Sequence, residues 1–172
     1  MTHNMTITIE DLQSIPIGQI EGALASASKK ALKEVTLYDF LLSGDFPLRY
    51  VHGVYVFYAE DGQKSLYVGK VEKPQFIERV PAHLAPGRGS WFNGFLRHHS
   101  NATSEGDLDK ALLTTRDCLL LLVLAPYDIA SKLETVLIRE LKPSYNSKRP
   151  KVNASESPDG ENEHLSSLLN RM

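Results

Sequence analysis

The chain has 172 residues, 42% of them hydrophobic and 23% charged, with a net charge of −2 and a pI near 6.3. That composition belongs to a globular protein with a substantial core, and argues against a polycation that coats nucleic acid through bulk charge. The longest apolar run, Cys118 to Ala125, is too short to span a bilayer. The lone Cys118 excludes an internal disulfide or a multi-cysteine zinc site.

In chain order, residues 1–50 form a leading region with no secretory pattern, which leads to a cytoplasmic expectation. Within it, Gln19 to Glu34 is rich in Ala, Leu and Lys and reads as a helix. Thr36 to Leu42 reads as a short apolar helix stopped by Gly44. Residues 53–69 alternate as a hairpin, with Val54, Val56 and Tyr58 on one face, Tyr55 and Phe57 on the other, and Asp61-Gly62 in the turn. Pro74 suits the first turn of a helix running to about Leu84, which Pro81 should kink or shorten.

Further along, Trp91 to His99 and Asp107 to Thr114 read as short helices. Asp117 to Ala125 is a strand apolar on both faces. Asp128 is expected to cap a helix that Pro143 ends. From residue 148 the composition turns polar and acidic, predicting a poorly ordered tail with at most a short turn at Leu165–Leu169.

Charge is uneven. Residues 62–99 hold Lys64, Lys70, Lys73, Arg79, Arg88 and Arg97 against Glu72 and Glu78, while residues 139–151 hold Arg139, Lys142, Lys148, Arg149 and Lys151 against Glu140. A solvated face explains such runs as well as an anion site does. Glu134 is more pointed: Ala130, Leu137, Ile138 and Leu141 share its helical face. A carboxylate in an apolar stripe needs a partner, either a buried lysine or arginine or a divalent metal.

The triplets Gly53-Val54-Tyr55 and Tyr67-Val68-Gly69, followed in order by Arg79, His83, Glu134 and Asn146, resemble the GIY-YIG nuclease superfamily. The resemblance covers roughly residues 50–147, with Pro81 a departure from the family's helix between Arg79 and His83. It implies a mixed α/β (α+β) fold: a small, mainly antiparallel three-stranded sheet flanked by helices over residues 51–147, behind an N-terminal helical extension over residues 1–50. The implied activity is metal-dependent hydrolysis of DNA phosphodiester bonds with one Mg²⁺ (or Mn²⁺), RNA remaining open as substrate.

Under that resemblance, Tyr55 activates water, Tyr67 holds water or phosphate, Arg79 contacts the scissile phosphate, His83 relays a proton and Glu134 binds the metal. Lys70, Arg97 and Asn146 contact substrate or hold the site. Trp91, Phe92 and the His98-His99 pair, in an insertion between Ala85 and Asp107, are expected to shape substrate contacts. Which tyrosine is the base stays open. The alternative is a nucleic-acid-binding module of the same fold that does not cleave.

Overall fold

The computed structural model describes residues 4–87, 94–146, 153 and 157–172. Its elements are β1 (Thr6–Thr8), α1 (Ile9–Leu12), α2 (Ile20–Ser26), β2 (Lys30–Ala31), β3 (Leu42–Ser43), β4 (Phe46–Pro47), β5 (Gly53–Tyr58) and β6 (Ser65–Val71). They continue with α3 (Phe76–Ala82), α4 (Gly94–Thr103), α5 (Leu108–Thr114), β7 (Leu119–Leu124), α6 (Tyr127–Leu141) and α7 (Leu165–Arg171). The main sheet is mixed α/β in setting and mixed in direction. β5 pairs antiparallel with β6 on one side and β7 on the other. The far edge of β7 is shared by β1, parallel at Leu122–Leu124, and β2, antiparallel at Leu119–Leu120.

A three-stranded, mainly antiparallel sheet is therefore only the centre of what forms: five strands assemble, one of them parallel. The leading region is not purely helical either. The helix expected over 19–34 stops at Ser26, and Lys30–Ala31 joins the sheet, because hydrogen bonding to β7 outweighs the local helix propensity of Ala, Leu and Lys. The expected apolar helix at 36–42 is a single 3₁₀ turn over Leu37–Phe40, followed by the β3–β4 hairpin around Gly44.

Alternation along β5 divides the interior as the sequence predicts. Val54, Val56 and Tyr58 join Val68, Leu121 and Val123 beneath α6, α2 and α1, while Tyr55 and Phe57 join Phe76, Val80, Phe95, Leu120 and Leu122 on the opposite face. The first of these clusters also takes Ile9, Leu12, Ile20 and Leu24 from the leading region and Leu165, Leu168 and Leu169 from α7. The end of the tail is thus an ordered helix with an apolar stripe in the core, in place of a short turn. Among the described residues no helix is long and apolar enough to cross a membrane.

Two glycines explain how the hairpin closes. Gly53 takes φ of 135°, and a side chain there would run into the carbonyl of Val123 and the amide of Ala125. Gly69 lies directly across from Tyr55, and a methyl group at Gly69 would overlap the Tyr55 ring and hydroxyl. A register shift at Phe57/Tyr58 then sets Leu66 and Tyr67 onto the Phe57 side of the sheet.

Candidate active site

Strand β6 carries the site on both faces: Gly69 leaves room for the Tyr55 ring on one, and Lys70 serves the other. On one face, Tyr55 is buried with its ring near Tyr67 (centroids 6.3 Å apart), and the Tyr67 ring lies 5.0 Å from that of His83. Phe57 and Phe95 stack at 4.1 Å and wall this group from solvent. α3 supplies Arg79 and His83. Pro81 shortens the helix to Ala82, yet His83 keeps helical backbone angles, so Arg79 and His83 remain one turn apart on the same side.

His83 is fully buried, and its Nδ1 accepts the backbone N–H of Phe95 at 3.3 Å, at the start of α4. That contact places the ring proton on Nε2, which donates to the Tyr55 hydroxyl oxygen at 2.5 Å. Burial, reinforced by the Arg79 charge, pushes the imidazole down to about 3, so it is neutral at ordinary pH. The geometry therefore departs from a proton relay. With Nδ1 occupied by an amide and Nε2 already protonated, His83 is a fixed donor to the phenol oxygen.

Burial also raises both tyrosines. For Tyr55 the Tyr67 phenol adds to the rise and the Arg79 guanidinium opposes it, by charge and by hydrogen bonding; Glu134 raises it further. Tyr67 is raised by burial and by Glu134, again against Arg79. Tyr67 is half-buried, and its hydroxyl makes no hydrogen bond among the described residues. Both phenols thus lie within the field of Arg79 and of Glu134, although Glu134 belongs to the other face.

On that other face, α6 brings Glu134 and Ser131, one turn apart, over Lys70 of β6. Lys70 Nζ donates to Ser131 Oγ at 2.6 Å and lies 3.3 Å from Glu72 Oε1 and 3.8 Å from Glu134 Oε2. Glu134 thus has a lysine partner, one of the two kinds its apolar surroundings demand. Burial pushes its carboxyl up to about 7, with the Lys70 charge opposing and Glu72 adding to the rise. The helix starts at Tyr127 behind Pro126, so Asp128 sits in its first turn and is not the cap.

Asn146 turns its amide onto the main chain of Val68, accepting the N–H at 2.9 Å and donating to the carbonyl at 2.8 Å. Tyr145 donates to the Leu66 carbonyl at 2.7 Å. Residues 144–146 thereby cover the free edge of β6, and Asn146 holds the strand that carries Tyr67, Gly69 and Lys70. Arg97 is exposed on α4, and its guanidinium makes no hydrogen bond or ion pair among the described residues. His98 stacks on Tyr145, while buried His99 bonds Tyr145 and Thr114, so the two histidines diverge into structural contacts.

Trp91, Phe92, Arg88, Lys148, Arg149 and Lys151 lie outside the described residues. Burial raises the Cys118 thiol to about 11, an inert core group.

Sequence reasoning did not single out Glu72, Ser131 or Phe95. Strand alternation puts residues 70 and 72 on one side, and helical spacing puts Ser131 beside Glu134, so two of the three carried a readable signal. The residues present fit a hydrated divalent ion better than a caged one. Among the described residues no group of three or more His, Cys, Asp or Glu side chains assembles. Glu134 nonetheless offers a carboxylate that is 23% exposed to water beside the phenols and guanidinium. Comparison with protein-family models, with curated proteins and with solved structures finds no match to this chain.

Proposed function

We propose that the chain is a metal-dependent endonuclease of the GIY-YIG type, hydrolysing DNA phosphodiester bonds with a single Mg²⁺ or Mn²⁺ ion. The observation that carries this reading is that the Tyr55 and Tyr67 rings lie together beside His83 within the field of Arg79 and Glu134, and that Arg79 in turn acts on the Glu134 carboxyl.

Hydrolysis needs a proton acceptor for water, neutralisation of the phosphoryl oxygens and support for the leaving oxygen. Tyr55 serves as the acceptor only as its phenolate, formed once its own proton has passed to solvent; the His83 Nε2–H and the Arg79 guanidinium favour that form against the burial that opposes it. Arg79 then spans the non-bridging oxygens with its planar fork. Tyr67, whose hydroxyl makes no hydrogen bond among the described residues, orients water or phosphate. Glu134 would hold the ion, which would supply positive charge to stabilise the departing oxygen. Asn146 keeps β6 in place.

The test is nicking of supercoiled plasmid in Mg²⁺, then in EDTA, by the parent and by Glu134→Ala. The expected result is metal-dependent nicking that the substitution abolishes while gel-shift affinity largely survives. A parent protein that leaves duplex, branched and single-stranded DNA uncut in Mg²⁺ and Mn²⁺, yet shifts them with a steep salt dependence, would instead be a binding module.

A further inference from the structure

Lys70 is surrounded in a way an ordinary surface lysine is not. Its Nζ meets three oxygens from separate places: Ser131 Oγ at 2.6 Å, Glu72 Oε1 at 3.3 Å and Glu134 Oε2 at 3.8 Å. Only the neutral hydroxyl is at optimal distance. Both carboxylate contacts are longer than the roughly 2.7–2.9 Å of a well-made charged hydrogen bond. The ammonium thus sits in an oxygen cradle that it does not fill well, and two carboxylates face one positive charge.

Water reaches all three charged partners, since the Lys70, Glu72 and Glu134 side chains are 32%, 40% and 23% exposed. Loose, hydrated contacts of this kind exchange readily. A lysine is suited to leave, because its charge rides on a flexible four-carbon stem. A small divalent ion is suited to enter, because it brings twice the charge, prefers carboxylate and hydroxyl oxygens and keeps several waters.

We propose that Lys70 is the resident cation of the metal position in the metal-free protein, and that Glu72 joins Glu134 in holding the divalent ion once the ammonium has moved out. The inference rests on the reading of Glu134 as the metal ligand given above, and it adds two residues to that role. Lys70 competes with the ion, and Glu72 is a second carboxylate ligand beside it. Displaced from the cradle, Lys70 is freed to meet the phosphate of an incoming strand. The metal and the substrate then each gain from the presence of the other.

The experiment measures Mn²⁺ binding to the full chain without DNA, by the loss of the free-ion electron paramagnetic resonance signal. It compares the parent with Lys70→Met, Lys70→Gln, Glu72→Gln and Glu134→Gln, each checked for a native near-ultraviolet circular dichroism spectrum. Removing the ammonium in either Lys70 variant is expected to tighten Mn²⁺ binding by about tenfold or more, since a unit charge about 4 Å from the ion is removed. Glu72→Gln is expected to weaken it severalfold and Glu134→Gln to abolish it.

Equal affinity in the parent and both Lys70 variants overturns the competition, and unchanged affinity in Glu72→Gln overturns the second ligand. Binding that responds to Glu134→Gln alone sinks this inference and leaves the metal reading intact. Absence of Mn²⁺ binding from every protein removes the metal reading itself.

Discussion

The two faces of strand β6 are built in opposite ways. On the Tyr55 face burial favours the uncharged form of every group: it raises both phenols and lowers His83 to about 3. The Tyr55 hydroxyl and both His83 nitrogens have defined partners there, and Phe57 and Phe95 stack beside them. On the Glu134 face the side chains are partly open to water, and the cation–carboxylate contacts are long. Atoms that handle protons must be held within tenths of an ångström, which dry packing achieves. Ions that come and go need partners which release them, and water-lubricated side chains serve that purpose.

Because the Tyr55 ring and hydroxyl occupy the space over Gly69, filling it should have the largest effect. Gly69→Ala puts a methyl group into the Tyr55 ring and hydroxyl, where β5 is held by ladders on both sides and β6 by its ladder to β5 and by Asn146 on its other edge. A loss of about 3 kcal/mol, at the upper end of overpacking effects, is expected in urea unfolding. A variant as stable as the parent would mean that Tyr55 is not packed tightly against Gly69.

Arg79→Lys asks the comparison a subtler question. Its fold should be unchanged, since Arg79 stands at a half-buried helix position, but plasmid nicking should slow by about 100-fold because a point charge cannot copy a bidentate fork. Full activity in the lysine variant would reduce the role of Arg79 to charge alone.

How much of this was legible beforehand depended on range in sequence. The hairpin faces followed from alternation over six residues, and the two halves of the core honoured them. Lys30–Ala31 was read as helix because its residue types favour helix; its strand exists only through pairing with Leu119–Leu120, nearly ninety residues away. α7 was obscured by the polar residues around it, although Leu165, Leu168 and Leu169 lie at helical spacing and are all buried. The sequence showed that Glu134 required a partner. It did not show that Lys70 is the one, because nothing local to either residue encodes the approach of α6 to β6. The tautomer of His83 was likewise hidden, since it depends on a backbone amide that only the fold delivers.

The smallest expected effect is also the one that separates the faces most directly, because they titrate with opposite sign. His83 has a folded value lowered to about 3 from 6.5, so the unfolded chain binds the extra proton between these limits. Its contribution therefore rises with pH up to 6.5 and is lost as pH falls below it, by up to roughly 1.4 kcal/mol per pH unit. Glu134 has a folded value raised to about 7 from 4.5, so the folded protein holds the extra proton, and stability falls as pH rises through that range. Between about pH 4.5 and 6.5 the two slopes oppose each other and the parent should show little change from this pair. Glu134→Gln removes one of them. Relative to the parent it should gain nothing near pH 4, about 1–2 kcal/mol by pH 8, and a distinct loss of stability on acidification below pH 6.5. The gain is set below the full shift because water and Lys70 already reach the carboxylate. Chemical unfolding of both proteins at pH 4, 6 and 8 measures this. A variant that parallels the parent at all three values would show that Glu134 is as well solvated when folded as unfolded, and the contrast between a dry face and a charged one would fall. A variant that is more stable at pH 8 yet inactive on plasmid would show a carboxylate kept at a cost to the fold for the ion it binds.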